Sequence, residues 1–139
     1  DLLNRLSERI EFSKQKISYQ ANSILTVLFW QIGKDINDFV LGNERAEYGK
    51  KIMSAVSTHL TQKYGRNFEL RNLRRMIQFA EQFTDIEIVT TLSTQLSWSH
   101  FVELFPIKKT EAKLFYAQKT AECNWSIREL RNQKEKKLY

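Results

Sequence analysis

The sequence predicts an all-α fold, a helical bundle with a long N-terminal helix and helix-turn-helix-like hairpins. Three observations carry this. Apolar residues recur at spacings of three, four and seven along most of the 139 residues. Period-two alternation is nowhere sustained, and no Asn-Gly or Asp-Gly pair marks a β-hairpin. Proline occurs once and glycine four times, so few positions interrupt a helix. The 42% of apolar residues is enough for a core. The length suits a single helical domain with a long first helix (1–43), a hairpin (44–83) and a C-terminal helical part (84–139).

The first helix is expected from Leu2 to Val40. Leu3, Leu6, Ile10, Ile17, Ile24, Leu28, Ile32, Ile36 and Phe39 keep a helical stripe. Ile10, Ile17 and Ile24 are seven apart, the spacing of a coiled-coil seam, although Ser13 and Gln20 interrupt its second row. Leu25, Phe29 and Trp30 widen the apolar face, so this middle stretch should be buried on both sides. Gly33 removes a side chain where another helix could approach closely, and Gly42 is the expected stop.

A second helix is expected over Ala46–Lys63, with Ile52, Val56 and Leu60 inward and Gly65 as a left-handed cap. Asn67 is placed to cap a third helix over Phe68–Phe83, whose inward residues are Leu70, Leu73, Ile77 and Ala80. Between Thr84 and Thr94 the pattern is mixed and reads as mostly loop with a short helix. Leu96–Phe105 reads as helix, with Ser97 a good N-cap and Pro106 the stop. A further helix is expected over Lys109–Glu122, on Leu114, Ala117 and Ala121. The last should run to about Leu138, capped by Asn124 or Ser126, with Glu129 completing a capping box on Ser126.

The net charge of +6 is concentrated. Lys63–Arg75 carries a net +4 and Arg128–Lys137 a net +3, while Met76–Ile107 contains no Lys or Arg. Two local excesses of this kind suit a polyanion partner; two solvated helix faces would give the same count. Within Lys50–Phe83 the order is helix, glycine turn, basic helix, the shape of a helix-turn-helix. Arg71, Asn72, Arg74 and Arg75 occupy the first turns of its second helix. There Arg could pair with guanine and Asn with adenine. Lys63, Arg66 and Asn67 sit at the turn, where phosphate contacts belong. A plain structural hairpin has the same outline.

Several function classes are disfavoured. No apolar run reaches the length of a membrane span. No signal peptide opens the chain, and the absence of an initiator Met suggests a piece of something longer. The single Cys123 forms no internal disulfide and fits a reducing cytoplasm. His59 and His100 with one cysteine make no transition-metal set, so no metal and no cofactor are expected. His100 lacks a carboxylate neighbour in sequence and reads as structural. Glu111-Ala112-Lys113 has a nuclease-like spelling with Asp85 upstream, but it falls in a helical pattern where that motif belongs on a strand. No catalytic residue is assigned.

Five strings together carry a family resemblance. They are Asn22 with Leu28-Phe29-Trp30-Gln31-Ile32-Gly33-Lys34; Tyr48-Gly49-Lys50; Phe68 with Arg71-Asn72-Leu73-Arg74-Arg75-Met76 and Phe79; Leu92-Ser93 with Gln95-Leu96-Ser97-Trp98-Ser99-His100 and Glu103-Leu104; and Phe115-Tyr116 with Trp125-Ser126-Ile127-Arg128-Glu129-Leu130. In this order, over nearly the whole chain, they resemble the N-terminal domain of the YhcG-like family, domain of unknown function 1016. Glu69 departs from the pattern, since members often carry Ser there, and it places an acid beside the basic patch. Leu96–Leu130 is also loosely similar to the helix-turn-helix region of ParB-like proteins.

The resemblance implies a bacterial, DNA-associated protein, often linked to mobile elements or defence. In it this domain precedes a PD-(D/E)XK nuclease domain, which is absent here, so the nuclease's catalytic residues have no counterpart in this sequence. The expected function is therefore a non-catalytic, DNA-binding targeting domain of a larger nuclease. Candidate contacts are Lys63, Arg66, Asn67, Arg71, Asn72, Arg74, Arg75, Arg128 and Arg131, with duplex DNA as the partner. The alternative is a dimerisation or partner-binding module, with a homodimer formed through the N-terminal helix.

Overall fold

The computed structural model describes residues 2–41 and 46–137. Among them are seven α-helices and no strand: α1 (Leu2–Leu41), α2 (Ala46–Tyr64), α3 (Leu70–Gln82), α4 (Ile86–Leu92), α5 (Trp98–Leu104), α6 (Thr110–Cys123) and α7 (Ile127–Glu135). A 3-10 turn over Arg66–Phe68 joins α2 to α3. The all-α bundle with a long first helix is as the periodicity predicts. Gly42, the expected stop of α1, lies outside the described residues.

The inner half of α1 is the axis of the domain. Its main neighbour is α3, and the two cross at Gly33. A Cβ built on Gly33 would lie 1.9 Å from the Met76 carbonyl oxygen. Only a bare Cα allows the backbones to approach this closely. Around the crossing, Phe29, Ile36, Leu73 and Met76 form one buried cluster, with Met53, Val56 and Phe68 packed on it. Trp30 turns the other way. It joins Phe79, Phe83, Val89, Leu96, Phe101, Leu104, Tyr116 and Leu130 in a second, larger cluster under α4–α7. Its indole N–H also donates to the Phe83 carbonyl at 2.6 Å, satisfying the end of α3. Phe79 is the hub of the aromatic packing, with Phe101 at 4.6 Å and Trp98 at 5.4 Å between ring centroids.

The outer half of α1 touches little of this body. Leu6 and Ile10 are exposed on the stripe, Ile10 to 56%, and further along it Ile24 is 70% exposed, while Phe12, 69% exposed, lies on the opposite side of the helix. The apolar stripe therefore continues well past the part of the helix that the domain covers.

Local chemistry accounts for the boundaries, and several differ from expectation. Asn67 does not cap α3. The chain first makes the 3-10 turn, and α3 begins at Leu70, after Glu69, whose side chain makes no cap bond. Gly65 sits at φ +107°, a conformation that glycine tolerates and side chains do not. The mixed stretch after Thr84 is mostly helix rather than loop: Asp85 accepts the Glu87 N–H at 2.9 Å and starts α4, which buries Val89 and Leu92. The β-branched residues there are accommodated because tertiary burial outweighs their weak local preference.

Ser97 caps α5, and its reciprocal partner is a histidine. Ser97 Oγ accepts the His100 N–H, and His100 Nδ1 accepts the Ser97 N–H at 3.0 Å. The capping box expected at Ser126 is only half made. Ser126 accepts the Glu129 N–H at 3.1 Å, while the Glu129 carboxylate accepts from Gln133. Asn124 does not cap α7 but closes α6, in the left-handed conformation at φ 52°. The last helix ends at Glu135, and Leu138 lies outside the described residues.

Candidate nucleic-acid interface

The basic hairpin is built from α2, the turn and α3. At about 100° per residue, Arg71, Arg74 and Arg75 fall within one arc of α3 of about 100°. That arc lies opposite the buried Leu73, Met76, Phe79 and Ala80. The core thus fixes the face that the arginines present. Arg71 and Arg74 are exposed and Arg75 is half-buried, while Lys63 and Arg66 are exposed at the turn. None of these five cations makes an ion pair with a described residue. An unneutralised group of this kind keeps its full field for an incoming anion.

The turn is held from three sides. Phe68 packs edge-on against Phe29 at 6.3 Å and Tyr64 at 6.0 Å. The Ser57 hydroxyl donates to the Phe68 carbonyl at 3.0 Å. Asn72 donates from its side-chain amide to the Asn67 carbonyl at 2.7 Å, and its side-chain oxygen accepts the Trp98 indole N–H at 3.2 Å. Both ends of the Asn72 amide are thus engaged within the protein. Of the predicted contacts, Asn72 is half-buried and internally bonded, while Asn67 is exposed and contributes its carbonyl to this tie.

The second basic segment is organised differently. Arg131 Nε donates to the Glu103 carboxylate at 3.0 Å. Lys134 Nζ donates to the same carboxylate at 3.0 Å and to the Glu103 carbonyl at 2.6 Å. Burial pushes the Glu103 carboxyl up, but the hydrogen bonds and charges of Lys134 and Arg131 together outweigh it and hold its pKa below 4.5. The half-buried Lys134 and the exposed Arg131 of α7 thus both engage Glu103 of α5, whereas Arg128 is exposed and makes no ion pair among the described residues. α5 packs against both α3 and α7 and lies between the two basic helices.

His100 belongs to the framework. Besides the Ser97 bond, its Nε2 lies 2.9 Å from the Trp125 carbonyl. With Nδ1 accepting from the Ser97 N–H, Nε2 is the donor. The ring thereby ties α5 to the turn before α7, as a structural histidine would.

The profile of the DUF1016 N-terminal domain matches residues 5–139 of this chain. The chain belongs to that family. It is also 28% identical, over 154 aligned residues, to the protein of Escherichia coli (strain K12) named "Putative nuclease YhcG". The alignment takes in 89% of this chain but 41% of that relative, so the chain spans less than half of the relative's length. No solved structure matches the chain.

In this DUF1016 N-terminal domain, one basic residue escaped the sequence reading. Lys50, on α2, lines a groove with Ser54, Arg74, Ile77 and Glu81. Its place beside Arg74 depends on how α2 lies along α3, which residue spacing alone does not give. The one hint was its membership of the Tyr48-Gly49-Lys50 string. Among the described residues no group of three or more His, Cys, Asp or Glu could hold a metal ion. No helix there is long and apolar enough to cross a membrane. Glu111-Ala112-Lys113 lies on the first turn of α6, and the Lys113 side chain is buried there.

Proposed function

We propose that this DUF1016 N-terminal domain binds duplex DNA and, without catalysis of its own, brings a C-terminal nuclease domain to its target. The observation that carries this is the face of α3 with exposed Arg71 and Arg74 and half-buried Arg75, none of them in an ion pair with a described residue, continued at the turn by Lys63 and Arg66. In this reading α3 lies in or along a groove as the second element of a helix-turn-helix, with Arg71, Arg74 and Arg75 nearest the bases. Lys63, Arg66, Asn67, Arg128 and Lys50 contact phosphates. Asn72 and Arg131 position their helices, although both stood among the predicted contacts. The nuclease half of the reading rests on the name of the Escherichia coli relative. The lone Cys123, exposed and free, fits the reducing cytoplasm of a bacterium.

A fluorescence-anisotropy titration with duplex DNA tests this. Binding should fall with rising salt, by a log–log slope of about 0.9 per phosphate contact. Arg71→Glu with Arg74→Glu should weaken it by on the order of tenfold or more. No binding to any duplex at low salt would remove the proposal, and binding untouched by the double reversal would move it off α3.

A second reading is favoured by the uncovered stripe on α1. An apolar helix face of this length suits self-association, and a homodimer formed through α1 is compatible with DNA binding.

A further inference from the structure

Two surfaces of the domain remain uncovered, and they are complementary. The first is the outer half of α1. Leu6 and Ile10 lie on its apolar stripe, which continues at heptad spacing to Ile24 in the next turns of α1, and all three are exposed. Arg9 and Lys16 flank the stripe on one side and Lys14 on the other, where Glu11 lies 3.9 Å from it in solvent. The second surface is an open groove of about 570 Å³ between α4 and α6. It is lined by Ile88, Leu92, Leu114 and Ala121, together with the acids Asp85 at the cap of α4, Glu87 on α4 and Glu122 on α6. Among the described residues no Lys or Arg lines it. Among the described residues Glu122 pairs with Lys119, at 3.9 Å and in solvent.

Pairing of two α1 helices along the stripe is disfavoured by its flanks. In a parallel pair Arg9 would face Lys14 of the other copy; in an antiparallel pair Arg9 and Lys16 would face each other, and Lys14 itself. Ser13 and Gln20 also break the seam that such a pair would bury. The groove has the opposite charge, with acids on both of its helices beside its apolar lining. The seven residues of α4 and fourteen of α6 offer room for two to three turns of helix.

We propose that the outer half of α1 of one copy docks into the α4–α6 groove of a second copy. Ile10 and its stripe neighbours cover Ile88, Leu92 and Leu114, and Arg9, Lys14 and Lys16 meet Glu87 and Glu122. Reciprocal exchange closes a two-fold dimer. This rests on the self-association reading and names the surface that receives the helix.

The native cysteine reports on it, because Cys123 is exposed beside Glu122 and is the chain's only cysteine. Ser7→Cys and Ser13→Cys bracket Ile10 and cover both directions of docking. The expected result is a dimer by light scattering at micromolar concentration, weakened by salt. A short bismaleimide should then link position 7 or 13 of one copy to Cys123 of the other. Glu87→Lys with Glu122→Lys should give monomers with an unchanged helical spectrum, and adding Arg9→Glu and Lys16→Glu should restore the dimer. A dimer linked only 7–7 or 13–13 would overturn the groove and keep self-association through α1. A monomer at every concentration would overturn both.

Discussion

The Trp98 indole N–H donates to the Asn72 side-chain oxygen at 3.2 Å. This one bond links α5 to the base of the basic helix, and the other end of the same amide holds the Asn67 carbonyl at 2.7 Å. Asn72, a candidate adenine reader by residue type, is thereby engaged as a brace for the turn. Asn72→Ala should cost about 1–2 kcal/mol in urea unfolding, because it removes the partner of the part-buried Trp98 indole N–H and the exposed tie to the Asn67 carbonyl. Asn72→Asp, which keeps the acceptor for Trp98 but loses the donor to Asn67, should cost less. The salt slope of DNA binding should be the same in both. A stable Asn72→Ala protein with altered sequence preference would return Asn72 to base reading.

Gly33→Ala should destabilise by about 3 kcal/mol or more, since the new Cβ would strike the Met76 carbonyl, a backbone atom that no rotamer change can move aside. Thermal unfolding followed by circular dichroism measures it. Gly49→Ala is the control: among the described residues its Cβ would meet the Val40 side chain, at 3.2 Å, and a smaller loss is expected.

The Glu103 carboxyl titrates below 4.5 in the folded chain, held down by Lys134 and Arg131 against the effect of burial. A group with a depressed folded pKa stabilises the fold above its unfolded value, and that contribution is lost as pH falls through the folded value. Glu103→Gln should therefore cost about 1–2 kcal/mol near neutrality. The difference from wild type should shrink towards zero in acid. Paired urea titrations at several pH values show it.

Burial pushes the Lys113 ammonium below 10.5, and it sits 6.0 Å from the centre of the Phe83 ring. Between its folded value and 10.5 the unfolded chain holds this proton more tightly than the folded one. Stability at this site thus rises with pH across that window. Lys113→Met should stabilise by about 1 kcal/mol at neutral pH and abolish the rise. Denaturation midpoints on both sides of the window test the sign.

Lys50 and Arg74 line one groove, so Lys50→Glu should weaken DNA binding several-fold. Lys119→Glu, on α6 outside the basic hairpin, should leave it unchanged. Equal losses from both would point to net charge rather than to a site.

Helix identities were legible wherever an apolar stripe and a cap coincided. Ser97 and the run to Leu104 gave α5 nearly to the residue, and Gly33 announced the close crossing. The failures have physical causes. Asn67 is a good cap by type, but the turn beyond Gly65 needed one extra 3-10 stretch to bring Phe68 onto Phe29. Thr84–Thr94 reads as mostly loop because β-branched residues blur its period, yet a helix over Ile86–Leu92 is decided by the Asp85 cap and the burial of Val89 and Leu92. The basic hairpin was visible as charge. Which members stand exposed and which are braces was not, because Glu103 and Trp98 reach Arg131 and Asn72 only through the tertiary fold.

Phe29 and Trp30 are neighbours in sequence, yet each anchors a different buried cluster. Because consecutive helical side chains point about 100° apart, one turn of α1 serves as the common wall of both. Neither cluster can loosen without tilting the wall of the other. The domain should consequently melt as one cooperative unit, with the arginine-bearing hairpin and the α4–α7 half losing structure at a single temperature.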